Sequence, residues 1–128
     1  MNNVSFDLQP SLYAAADIVL TPSRAQHACM GVTIKEAMAA SIPVIGSDSG
    51  GIPEAIVHNV TGLIVPLMKS GDIDNAAFQD AIVSLIGQRD KWASMGEAAR
   101  ERANELFSEE TTINRTAAIF TRCMPKNA

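Results

Sequence analysis

Rings and thiols are scarce in this chain: aromatic residues make up 5% of it, and its two cysteines are Cys29 and Cys123. With so few rings, the interior has to be built from Ile, Val, Leu, Ala and Met. The cysteines stand far apart, without CxxC spacing or accompanying histidines. That argues against a disulfide framework or a zinc module and predicts reduced thiols in a cytoplasmic protein. Basic charge is also short, with 10 Lys and Arg against 14 Asp and Glu, a net charge of −4 and a pI near 5.0. A nucleic-acid binder needs a basic stripe to displace counterions, so that class is excluded. No apolar run reaches the roughly 18 residues of a transmembrane helix. The opening "MNNVSFDLQP" lacks the basic head and apolar centre of a secretory signal, so the Asn59-Val60-Thr61 sequon reads as coincidence. What is present, 47% apolar and 19% charged residues over 128 positions, suits one globular domain with a single core.

The apolar pattern changes period along the chain. Leu12 to Ala16 suits the end of a short helix, with Pro10 in its first turn. Ile18 to Leu20 is a continuous apolar run of the kind buried on both faces of a sheet, stopped by Thr21-Pro22-Ser23. From Gly31, the apolar positions Ile34, Met38 and Ile42, with Ala37 and Ala40, recur at helical spacing and predict a helix to about Ala40. Pro43-Val44-Ile45 predicts the next strand, "SDSGG" a turn, and Pro53 the first turn of a short helix reaching about Val57. Leu63-Ile64-Val65 predicts a third strand, ended by Pro66. Val4 to Phe6 is a weak candidate for a fourth. From about residue 74 the chain reads as a helical tail with three stripes. Asp74 caps the first, carrying Phe78, Ile82, Leu85 and Ile86. The second carries Trp92, Met95, Ala99, Ala103 and Leu106. The third is capped by Ser108 and carries Ile113, Ala117, Phe120 and Met124.

Strands alternating with helices indicate an α/β fold with a parallel sheet and right-handed crossovers. Three or four strands leave long open edges. The expectation is therefore a partial Rossmann-like sheet, the back half of a doubly wound domain, with self-association through those edges as one way to cover them.

In open parallel sheets, ligands bind beyond the carboxyl ends of the strands. Two loops there lead into helix starts, where unpaired amides and the helix dipole favour an anion. At Gly31-Val32-Thr33 the glycine allows close backbone approach and Thr33 adds a hydroxyl. Glu36, one turn on, would repel a phosphate but suits a vicinal diol, which can give it two hydrogen bonds. The plainer reading is a glycine-led helix with a solvated glutamate. For Gly50-Gly51 followed by Glu54, turn chemistry and an N-terminal proline are likewise sufficient. His27 and His58 have no partner pattern. Cys29 could act as a nucleophile at a helix start, but no general base is identifiable, and the lone carboxylate of Asp48 makes no metal site. No metal and no cofactor are expected, and no catalytic residue can be named.

Four stretches, "ADIVLTPS", "KEAMAASIPVIGSDSGGIPEAI", "TGLIVP" and "MGEAARERANELFSEE", in that order and spacing, resemble the C-terminal part of group 1 glycosyltransferases. These are retaining, nucleotide-sugar-dependent enzymes of GT-B architecture, and the match runs from about Leu12 to Phe120. The resemblance implies that Glu36 holds the donor ribose, and that the loop of Cys29, Met30, Gly31, Val32 and Thr33 faces the diphosphate. Gly50, Gly51 and Glu54 would belong to the next ligand-side loop. Ala28 stands where the family carries a glutamate that meets the donor sugar, and Cys29-Met30 replaces its Gly-Phe pair. Gln26 or His27 are substitute hydrogen-bonding candidates. By resemblance, residues 1–128 form one donor-binding domain that needs an N-terminal acceptor domain, absent before Met1. The whole enzyme would transfer a hexose to a sugar or lipid-linked hydroxyl, in the cytoplasm or at the inner face of a membrane. The isolated chain is expected to be nearly inactive. The alternatives are a non-catalytic α/β module that completes its fold with a partner chain and, more remotely, an epimerase of similar architecture.

Overall fold

The computed structural model describes residues 4–24 and 28–124. A 3-10 turn over Phe6–Leu8 runs directly into helix α1, Gln9–Ala14, which has proline in its first turn. The fourth strand expected at Val4 to Phe6 is not there. The Leu8 amide instead donates to the Ser5 carbonyl, and Pro10 presets the helical φ that follows.

Three short strands make one parallel sheet in the order β1-β2-β3: β1 is Val19–Thr21, β2 is Val44–Ser47 and β3 is Gly62–Val65. The register pairs Val19 with Val44 and Ile45 with Leu63. Each strand lies within a residue or two of its expected run. Between the strands run α2, Val32–Ala39, and the single turn α3, Ile52–Ala55. Then come α4, Asn75–Ile86, α5, Trp92–Phe107, and α6, Glu109–Cys123. Asp74 and Ser108 cap α4 and α6 as expected, accepting from the amides of Ala77 at 3.0 Å and Thr111 at 3.2 Å.

The central strand is buried along its whole length and divides the core. Val44 faces Ile34, Ala37, Met38, Ile52, Ile56, Ala99 and Ala103 from α2, α3 and α5. Ile45 faces Val65, Phe78, Leu85 and Met95 on the other side. This burial explains why α2 exists. Eight residues are too few for a stable isolated helix, but sealing Ile34 and Met38 contributes about 1.5–3 kcal/mol each. The helix ends in a Schellman arrangement, with the Ser41 amide donating to Met38 O and the Ile42 amide to Ala37 O. Ser41 holds the left-handed position there, at φ 61°.

The three helical stripes of the tail differ in fate. Those of α4 and α5 enter the core through Phe78, Leu85, Met95, Ala99 and Ala103. The third does not: α6 buries no residue, and Ile113, Phe120 and Met124 are exposed. An amphipathic pattern gives a helix a sticky face without supplying something in the same chain to cover it.

Candidate functional site

Two loops rise side by side from the carboxyl ends of β1 and β2. Their roots are joined by Ser47, whose buried hydroxyl donates to the Ser23 carbonyl at 2.7 Å and accepts from the Ser23 amide at 2.9 Å. Higher up, the Gly51 amide donates to the Ala28 carbonyl at 2.9 Å. A Cβ on Gly50 would stand 2.0 Å from that same oxygen, and one on Gly51 would stand 2.9 Å from the Met30 nitrogen. The glycine pair thus lets the second loop lie directly against the backbone of Ala28 to Met30. Three of its amides are already engaged, since Gly51, Ile52 and Glu54 donate to Ala28, Ser49 and Gly51 carbonyls respectively. Pro53 has no amide to offer. Glu54 is exposed in this turn, and its carbonyl accepts from Arg102 at 2.9 Å.

The first loop is different. Gly31 caps α2 at φ 70° and ψ 123°, a conformation that disfavours any residue with a Cβ, and no side chain caps the helix. Among the described residues, the amides of Gly31, Val32 and Thr33 have no acceptor. Val32 is 68% exposed, so nothing in the described chain roofs that helix start.

One turn on, on the same side of α2 as Val32, stands Glu36. Tyr13 on α1 donates its phenol hydrogen to Glu36 Oε2 at 2.9 Å. Burial first, then the neighbouring carboxylate, raises the Tyr13 phenol above its usual value, while the Thr33 hydroxyl pulls the other way. Tyr13 therefore stays protonated, and a donor, at neutral pH. The two side chains line a hollow of about 370 Å³ together with Phe6, Gln9, Pro10, Ala39 and Ala40. A carboxylate offers about four lone-pair positions, and one is taken. An open carboxylate edge beside bare amides can bind a polyol carrying an anion.

The structure thus brings Gly31, Val32, Thr33 and Glu36 to one side of α2, with Cys29 and Met30 in the loop before it and Gly50 and Gly51 packed behind that loop. Glu54 lies on the separate turn α3. Gln26 and His27 fall outside the described residues. His58 has a partner that its sequence context does not reveal, since its Nδ1 accepts the Ile64 amide at 2.9 Å. Cys29 and Cys123 are both exposed and unpaired. Sequence reasoning missed Tyr13. Its signal is the "LYAAAD" helix just ahead of β1, which carries the chain's one tyrosine.

Among the described residues no group of three or more His, Cys, Asp or Glu could hold a metal ion, and no helix is long and apolar enough to cross a membrane.

Comparison with known proteins agrees with this architecture. The model of the group 1 glycosyl transferases matches residues 3–88. A GDP-mannose-dependent alpha-(1-6)-phosphatidylinositol monomannoside mannosyltransferase of Mycobacterium tuberculosis is 40% identical over 119 residues, which cover 89% of this chain and 30% of that protein. Among solved structures, sucrose-phosphate synthase from Thermosynechococcus elongatus superposes with a TM-score of 0.82 at 26% identity, over 95% of this chain and 29% of that one. Anabaena Alr3699/HepE in complex with UDP gives 0.74 at 29% identity, over 91% and 30%. The chain therefore spans about 30% of the length of the proteins it matches. Its partial Rossmann-like sheet with a helical tail is the C-terminal part of a GT-B fold. In sequence and in architecture alike, the chain belongs to the group 1 glycosyl transferases.

Proposed function

We propose that this chain forms one donor-binding domain that holds the nucleoside diphosphate of an activated sugar, as part of a retaining hexosyl transfer to a hydroxyl acceptor. The observation that carries the reading is the placement of Glu36 one turn from uncapped amides, on the same side of α2 and beside an open hollow. The amides of Gly31, Val32 and Thr33 bind the diphosphate with the dipole of α2 behind them. Glu36 accepts hydrogen bonds from the ribose diol. Cys29 and Met30 line the approach, and the Gly50-Gly51 loop forms the wall that holds them. The leaving group of such a transfer is the diphosphate itself, so the same amides also stabilise the charge that develops as the glycosidic bond breaks.

The acceptor side falls to the part of such enzymes that these residues do not span, so slow or no turnover is expected of the 128-residue protein. Ala28 favours a second reading, a binding module without transfer of its own, because the family's sugar-contacting carboxylate is not at that position. Calorimetric titration with GDP and with UDP tests the binding claim common to both readings. Saturable binding of at least one of them, weakened about tenfold or more in Glu36→Ala, is the expected result. Indifference to both nucleotides would defeat it. Rapid turnover of a nucleotide sugar would defeat the expectation of inactivity and the module reading together.

A further inference from the structure

Glu36 is half-exposed and sits on a long flexible stem, and such a side chain loses rotamer freedom when a ligand fixes it. In this structure it is already held. The Tyr13 hydroxyl reaches it from α1, across 23 positions of sequence, at 2.9 Å. The bond occupies one lone pair of Oε2. Among the described residues no donor reaches Oε1, so Oε1 and the second lone pair of Oε2 remain for two further hydrogen bonds. That is the number a vicinal diol supplies.

We propose that Tyr13 is a positioning residue for the sugar-nucleotide site: it fixes the Glu36 carboxylate so that its open edge faces the 2′,3′-diol of the nucleotide pentose. The inference rests on the nucleotide-binding reading above and deepens it, because it assigns selectivity for ribose over 2′-deoxyribose to a pair of residues rather than to Glu36 alone. The lever is pre-organisation: a carboxylate held in place beforehand loses less freedom when the diol arrives. Thr33, beside the phenol and at the start of α2, links this pair to the phosphate end of the site. The ring of Tyr13 also packs against the core that contains Ile34 and Ala37. Tyr13→Phe therefore keeps the packing and removes only the donor.

The test measures binding of GDP, UDP and their 2′-deoxy forms to the 128-residue protein and to Tyr13→Phe, Glu36→Gln and the double variant, with thermal unfolding followed in parallel. The unaltered protein should prefer ribo- over 2′-deoxynucleotide by roughly tenfold or more. Tyr13→Phe should weaken ribonucleotide binding roughly three- to tenfold and shrink that preference. It should leave the 2′-deoxynucleotide nearly untouched and have no further effect in the Glu36→Gln background. If Tyr13→Phe lowers the melting temperature but keeps the full ribose preference, the tyrosine merely ties α1 to α2 and the proposal is overturned. If Glu36→Gln loses the preference and Tyr13→Phe does not, this inference fails while the nucleotide-binding reading stands. If the unaltered protein binds none of the nucleotides, both fall together.

Discussion

The loops leaving β1 and β2 begin as neighbours, both lead into helices and both contain glycine, yet their glycines do opposite things. At Gly31 the missing side chain leaves a helix start open, with amides that meet nothing in the described chain. At Gly50 and Gly51 it closes a gap, letting one stretch of backbone rest on another and consuming the amides there. An eight-residue helix anchored by Ile34 and Met38 can keep its end bare, because its position is fixed from within the core. The four-residue turn of α3 is also anchored, through Ile52 and Ala55, but it spends its polar groups on local contacts. One glycine leaves backbone amides bare, and the other pair ties two backbones together.

The comparison can be broken most directly at Gly50. Gly50→Ala puts a methyl group onto the Ala28 carbonyl and forces alanine to φ 50°. A loss of about 3 kcal/mol or more is expected in denaturant unfolding followed by the single tryptophan, Trp92, because the loop must lift off its neighbour. Gly31→Ala should cost less, about 1–3 kcal/mol, because the nearest atoms, of the Ile34 side chain, lie at 3.4 Å in ordinary contact and the strain is in the backbone conformation. Equal losses at the two positions would erase the distinction between closing and opening glycines.

A pH series sharpens the picture at Glu36. The phenol of Tyr13 is raised above its usual value of 10.0 in the folded chain, so folding favours the protonated ring. That contribution is complete below about pH 10 and is lost as pH rises through the folded value. Stability should therefore fall more steeply above pH 10 in the unaltered protein than in Tyr13→Phe, as read by unfolding midpoints. Identical slopes would count against the burial of the phenol and, with it, the bond to Glu36. The smallest effect belongs to the far end of α2. Ser41→Gly relieves a left-handed serine and should stabilise by up to about 1 kcal/mol, with nucleotide affinity unchanged.

Much of this was legible in the chain, and the exceptions share a cause. Continuous apolar runs marked all three strands, displaced by a residue or two because ladder partners such as Thr21 and Gly46 set the ends. The capping residues Asp74 and Ser108 could be read directly, since a cap is a local event. Three features were not legible. Tyr13 meets Glu36 through a tertiary contact with no sequence spacing to announce it. The seating of Gly50 on Ala28 depends on how closely two separate loops approach. Val4 to Phe6 looks like strand by composition, but the serine within it and a proline ahead of it decide for helix. The apolar stripe of α6 was visible as a stripe, whereas its exposure depends on what lies opposite.

The clasp between Ser47 and Ser23 has a consequence for how this loop tolerates change. One interior hydroxyl grips both peptide groups of Ser23, and the Gly51 amide grips Ala28, so the loop leaving β2 holds the loop leaving β1 at two points. Side-chain changes that spare Ser47 and the glycine pair leave both points fastened, because the loop leaving β1 is held through its backbone. An exposed position such as Cys29 is therefore where a designer can change the loop's surface without loosening its hold on the sheet.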